Sequence, residues 1–165
     1  MEKKINKKSR RLEVLLWSIA LPGFGQLLNH KYLKGFLLVV LEVLVNVMGN
    51  FNRVIVLSFN GQIPEAIEAT NYLWLMFYPC LYFFAIWDAY KDAGGGGEKP
   101  FAYLPLVFSA YFVTIGLIFS AKFTVFGTLI GPMWLPILFL PIGLCVGAII
   151  RWILLKVYEK DASFD

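Results

Sequence analysis

Apolar runs long enough to cross a lipid bilayer dominate this chain. Hydrophobic residues make up 59% of its 165 residues and charged residues 16%, whereas soluble domains carry roughly 25% charged residues. A soluble core of this length cannot bury so much apolar surface, so lipid must solvate most of it. The pattern predicts an all-α polytopic membrane protein, in which four runs have about the 20 residues that a spanning helix needs: residues 32–51, 72–90, 101–120 and 135–154.

An earlier apolar segment, residues 12–28, is interrupted by Pro22, Gly23 and Gly25. Its uninterrupted part, residues 12–21, would form a helix of only about 15 Å at ~1.5 Å per residue. That length is half the ~30 Å hydrocarbon core, so we expect an interfacial or re-entrant half-helix. A signal peptide is the alternative interpretation, and we favour retention of the segment in the mature protein.

The distribution of positive charge predicts the orientation. Residues 1–11 form a basic tail with six Lys and Arg, which fixes the neighbouring segment on the cytoplasmic side and attracts anionic lipids. If residues 12–28 do not cross, only Arg53 and Lys122 lie outside. If they cross, both sides carry nearly equal positive charge. We therefore expect both termini in the cytoplasm and one domain, residues 12–165, behind the tail. Because the positive charges lie at the ends and in short loops, no nucleic-acid partner is expected.

Glu42 is the strongest single candidate for a functional residue. It falls near the middle of the first crossing, where an ionisable group costs several kcal/mol unless it is paired or hydrated. Asn46 lies one turn later on the same helical face, and Lys34 lies two turns earlier. The pair Glu42 and Asn46 predicts either an ion or proton site or a docking contact. A structural hydrogen bond made by a protonated Glu42 remains an equal alternative.

A carboxylate at the end of the second crossing, Asp88, should also need a partner. It meets the unfavourable end of the helix dipole on the side where the basic turn lies. We therefore expect Asp88 to contact Lys31 or Lys34, with a solvated surface aspartate as the alternative.

Small residues one helical turn apart predict close helix packing in lipid. They occur as Gly143 with Gly147 in the last crossing and as Gly116 with Ser120 in the third. The sequence leaves open whether these faces pack within one chain or between chains.

Local signals add three further expectations. Pro64 followed by Glu65 predicts a short helix on the external surface. The stretch 91–100, with four consecutive glycines, is expected to be a linker rather than a phosphate-binding loop. Pro136 suits the first turn of the last helix, whereas Pro79 and Pro141 predict kinks.

The hairpin LPGFGQLLNHKYLKG and the later AIWDAY resemble the two-transmembrane-helix domain family of small bacterial membrane proteins, and related PGxGQ-hairpin polytopic proteins. The matching residues are Gly23, Gly25, Tyr32, Gly35 and Asp88. The resemblance covers about half the chain and implies a bacterial plasma-membrane protein with no catalytic residue. The Arg-Phe-Tyr turn typical of the named family is absent, and Asp88 lies further along the chain than the family pattern places it.

These observations favour a non-enzymatic accessory or scaffold subunit without cofactor or metal. It would bind other membrane proteins, or itself, through the small-residue faces and the hairpin from Pro22 to Gly35. A small transporter or channel subunit that uses Glu42 and Asn46 is the alternative.

Overall fold

The computed structural model describes residues 7–96 and 99–161. These residues are mostly helical, as the sequence predicts. The helices are α1 (Lys7–Ala20), α2 (Phe24–Leu28), α3 (Tyr32–Met48), α4 (Phe51–Phe59), α5 (Ile63–Ala69), α6 (Tyr72–Leu75), α7 (Tyr78–Asp92), α8 (Leu104–Phe119) and α9 (Gly131–Asp161), and two short strands, β1 (Thr124–Val125) and β2 (Thr128–Leu129), lie between α8 and α9.

One helix in the described part of the chain is by itself long and apolar enough to cross a membrane. It is α9, over the stretch Gly131–Lys160. Two further candidates are bent pairs: α3 with α4 at 61°, and Ile63–Ala69 with Tyr72–Asp92 at 81°. The apolar helix α8 has 16 residues, about 24 Å at ~1.5 Å per residue, which is short of the ~30 Å core.

The first helix begins earlier than predicted. We placed a tail at residues 1–11 and the arm at 12–28, and α1 already starts at Lys7, within the tail. Lysine and arginine are good helix formers, and the helix continues through them. Residues 1–6 lie outside the described part. The predicted break near Pro22 is present, since α1 ends at Ala20 and α2 begins at Phe24.

The first predicted crossing, residues 32–51, extends beyond the end of the observed helix. The helix α3 stops at Met48, and Asn50 adopts a left-handed conformation with φ 56°. A separate helix, α4, then leaves at 61° and contains Arg53, which we placed outside. The short helix predicted at Pro64 is present as α5, with the proline in its first turn.

The other boundaries also differ. A break after α6 precedes Pro79, which lies in the first turn of α7, so the proline interrupts residues 72–90 as expected. Helix α8 begins at Leu104 rather than at residue 101. Helix α9 begins at Gly131, so Pro136 and Pro141 both lie in its interior, and the placement of Pro136 in the first turn is wrong.

The strands β1 and β2 form an antiparallel hairpin that the sequence analysis missed. Phe126 and Gly127 connect them, and both have positive φ, at 50° and 78°. Two consecutive residues with positive φ match the right-handed twist of a tight two-residue hairpin.

Contacts at the two ends of α9 place the end of α4 and the loop at Pro100 at opposite ends of the molecule. Near its start, Trp134 Nε1 donates a hydrogen bond of 3.2 Å to the Ser58 carbonyl at the end of α4. Near its other end, Arg151 Nε donates to the Pro100 carbonyl at 3.3 Å. The helical rise over the 20 residues between Gly131 and Arg151 amounts to about 30 Å, comparable to the hydrocarbon core.

Candidate functional site

The hairpin between α1 and α3 is built around two unusual backbone positions. Pro22 is buried, and Gly23 has φ 102°, a conformation that glycine adopts without steric cost. At the far end of α2, His30 has φ 60° and the Lys31 amide donates to the Gln26 carbonyl at 2.9 Å. The chain therefore turns at both ends of α2.

Three glycines let the arms of the hairpin approach closely. A Cβ on Gly23 would lie 3.0 Å from the Val39 nitrogen of α3, and a Cβ on Gly35 would lie 2.9 Å from the Gly23 carbonyl oxygen. A Cβ on Gly25 would collide with the Ser18 hydroxyl and would lie 2.7 Å from the Ala89 Cβ of α7. These glycines serve the packing of α2 between α1, α3 and α7.

Two amides of the hairpin bind the backbone of α7. Gln26 has no exposed surface, and its Nε2 donates to the Ala85 carbonyl at 2.9 Å and to Asp88 Oδ2 at 3.0 Å. Asn29 Nδ2 donates to the Ala89 carbonyl at 2.8 Å. Because Gln26 and Asn29 are three residues apart, they project from one side of the helical turn and hold a single stretch of α7.

An ion pair completes this contact. Lys34 Nζ lies 2.8 Å from Asp88 Oδ1 and 3.5 Å from Asp92 Oδ2. The expected contact between Asp88 and the basic turn is therefore present, and the lysine that makes it is Lys34. We call Gln26, Asn29, Lys34 and Asp88 the hairpin clamp.

The sequence analysis missed Gln26 and Asn29 as members of this site. The signal was present, since both belong to the quoted hairpin LPGFGQLLNHKYLKG and their spacing puts them on one face. We read only its glycines, proline and charged residues, because a neutral amide close to a membrane segment has no single expected partner.

Glu42 lies inside the bundle, as predicted. It is 6% exposed and belongs to the single stripe of α3 that packs inward, together with Gly35, Leu38 and Val45. The Tyr78 phenol of α7 lies close enough to interact with its carboxyl group. The oxygen Oε2 has no hydrogen-bond partner among the described residues.

Asn46 does not join Glu42. Its Nδ2 donates to Asn52 Oδ1 at 3.2 Å, so the expected partnership between Glu42 and Asn46 is wrong. The sharp bend between α3 and α4 brings Asn52 back toward the end of α3, and this neighbour satisfies the amide. Tyr78, from another helix, takes the place that we assigned to Asn46.

The small-residue faces pack within the chain. A Cβ on Gly143 would lie 2.7 Å from the Phe108 carbonyl oxygen, and one on Gly147 would lie 2.6 Å from the Pro105 Cα. A Cβ on Gly116 would lie 2.9 Å from the Pro136 Cα. Ser120 is buried and donates to the Leu117 carbonyl at 2.7 Å. The three glycines therefore join α8 to α9, whereas Ser120 also bonds the Tyr72 hydroxyl at 3.2 Å.

The fold and the clamp together define a helical protein in which a broken N-terminal hairpin is fastened to an internal helix, α7. A comparison of the chain with protein-family models, with curated proteins and with solved structures finds no match.

Proposed function

We propose that the chain is a multi-pass protein of a bacterial plasma membrane with four crossings and both termini in the cytoplasm. We propose further that it acts as a non-enzymatic accessory subunit that binds other membrane proteins or a second copy of itself. Its relation to the two-transmembrane-helix domain proteins is part of this proposal.

The charges at the two ends of the fold support the orientation. Arg10 Nη2 donates to the Leu28 carbonyl at 3.3 Å, so the basic start of α1 lies beside the turn that contains Lys31. Arg151 lies against the loop at Pro100. The short helices α4 and α5 and the hairpin β1–β2 are associated instead with the start of α9. An excess of positive charge on one side is the usual mark of the cytoplasmic face.

Site-directed labelling tests this orientation. In a background without Cys80 and Cys145, we expect cysteine at Phe126 to react with a membrane-impermeant maleimide in intact cells, because Phe126 is fully exposed at the tip of the strand hairpin. Cysteine in place of Lys31 should react only after the cells are opened. Labelling of the Lys31 position from outside would invert the orientation and contradict the proposal.

The arrangement of the clamp supports the accessory role. Three side-chain donors of the hairpin are engaged with α7: the amide nitrogens of Gln26 and Asn29 bind its carbonyls, and Lys34 pairs with Asp88. Side chains used in this way fix the position of helices, and rigid positioning of a surface is what a binding subunit requires. This observation carries the proposal.

The outer face of α3 is the partner surface that we propose. The small-residue faces of α8 and α9 are occupied by each other, so they do not serve this purpose. Helix α3 instead packs through one narrow stripe and leaves large apolar side chains exposed, including Leu33 at 75%, Val47 at 65% and Phe36 at 63%. The clamp residue Lys34 lies in the first turn of the same helix, so the hairpin sets the orientation of this face.

Photo-crosslinking tests the role. With benzoylphenylalanine in place of Phe36, we expect irradiation of native membranes to give a discrete protein adduct, which mass spectrometry identifies. The matched position is Trp152 on α9, which is 56% exposed and should give no such adduct. Recovery of the protein as an unpartnered monomer in mild detergent, with no adduct at Phe36, would contradict the accessory role.

A further inference from the structure

A cavity of about 310 Å³ lies between α7, α8 and α9. Each of these helices contributes a stripe of residues one helical turn apart, which lie on one face of the helix. The stripes are Tyr78 and Tyr82 on α7, Val113 and Leu117 on α8, and the residues from Pro132 to Leu140 on α9. The stripe on α9 extends for about 12 Å at ~1.5 Å per residue. The cavity therefore runs along the helix axes.

The chemistry of the wall selects an uncharged, apolar occupant. Among the residues that the structure describes, no charged side chain lines the cavity. Of its two hydroxyl groups, that of Tyr82 donates to the Ile19 carbonyl at 2.8 Å. That of Tyr78 lies close enough to interact with the Glu42 carboxyl group. An ion or a strongly polar molecule would therefore lose its hydration here without gaining partners.

The position of the cavity indicates where the occupant comes from. Ile137 lines the cavity and is 45% exposed, so the cavity reaches the outer surface of the bundle beside α9. In a bilayer, acyl chains cover that surface and lie roughly parallel to the spanning helices. An empty cavity is unfavourable, because the atoms of its wall lose dispersion contacts. An acyl chain that enters beside Ile137 restores those contacts and keeps its direction.

We propose that this cavity binds one acyl chain of a membrane phospholipid, which lies along α9 between Pro132 and Leu140. Because these residues belong to the part of α9 near its start, which we place on the external side, the phospholipid is one of the outer leaflet. The inference rests on the proposed membrane placement. It does not depend on the accessory role, since the cavity lies inside the bundle and the partner surface is the outer face of α3.

A photoreactive phospholipid tests the proposal. The full-length protein is reconstituted in nanodiscs with phosphatidylglycerol that carries a diazirine in one acyl chain, and mass spectrometry locates the adducts after irradiation. We expect an adduct on Leu117, which is only 3% exposed and is reached through the cavity. Phe36, at 63% exposure, reports contact with bulk lipid and should also be labelled. Labelling of Phe36 without Leu117 would overturn the proposal and leave the membrane placement intact, whereas labelling of neither would overturn both.

Matched variants on α8 show whether the label reaches Leu117 through the cavity. Val113→Phe adds a ring to the cavity wall and should lower the labelling of Leu117, relative to that of Phe36, at least about tenfold. Val107→Phe makes the same change on the same helix, at an exposed position outside this cavity, and should leave the ratio unchanged. Undiminished labelling of Leu117 in folded Val113→Phe would overturn the proposal, as would an equal loss in Val107→Phe. If Val113→Phe does not fold, Leu140→Phe decides in the same way, because it fills the cavity from α9.

Discussion

Gly25→Ala should destabilise the protein by about 1–3 kcal/mol, the usual cost of forcing an extra group into a packed interior. The new Cβ would collide with the Ser18 hydroxyl of α1 and would lie 2.7 Å from the Ala89 Cβ of α7. Both neighbours are buried, so neither can move into solvent. The resulting shift would also disturb Gln26, the next residue in the chain. Unfolding in mixed micelles, followed by circular dichroism, measures the loss.

Two matched variants show whether crowding is the cause. Gly61→Asn changes a glycine whose added Cβ would meet no atom within 4 Å, and asparagine tolerates its positive φ, so stability should change little. The double variant Gly25→Ala with Ser18→Ala removes the colliding hydroxyl and should recover part of the lost stability. If Gly25→Ala proved as stable as the parent, the close packing of α1, α2 and α7 would be refuted.

The part of the site that the sequence predicts is the part governed by local chemistry. Pro22 lacks a backbone donor and Gly23 adopts a left-handed conformation, so these two adjacent residues determine the break in the first arm. The Lys34–Asp88 pair was also predictable, since the charge distribution puts both residues at one end of the bundle and leaves few alternative partners.

The features that were missed depend on the tertiary structure. The role of Gln26 requires the register of α2 against α7, which no local pattern specifies. Asn46 is on the expected face of α3, but the bend at Asn50 supplies Asn52 as its partner. Helix α9 runs over 31 residues with Pro136 and Pro141 in its interior, and it packs closely against α8 there. Interior prolines of this kind are tolerated in membrane helices.

Gln26→Leu should destabilise the protein more than removal of the ion pair does. Leucine has a similar size but cannot donate, so the Ala85 carbonyl loses a buried hydrogen bond and Asp88 Oδ2 loses a partly buried one. An unsatisfied buried acceptor costs about 1–3 kcal/mol. The Lys34 side chain, by contrast, is 44% exposed, and a partly solvated ion pair contributes about 0–1 kcal/mol. The free energy of unfolding, measured under the same conditions for both variants, should therefore fall further for Gln26→Leu than for Lys34→Met.

A double-mutant cycle separates the hydrogen bond to Asp88 from the bond to the backbone. Combining Gln26→Leu with Asp88→Leu should give a coupling energy within the range of about 0.5–3 kcal/mol found for contacting residues, because either change alone removes the same bond. The loss of stability that Gln26→Leu still causes in the Asp88→Leu background measures the hydrogen bond to the Ala85 carbonyl. A larger effect for Lys34→Met than for Gln26→Leu would mean that electrostatic attraction, and not the buried amide, fastens the hairpin to α7.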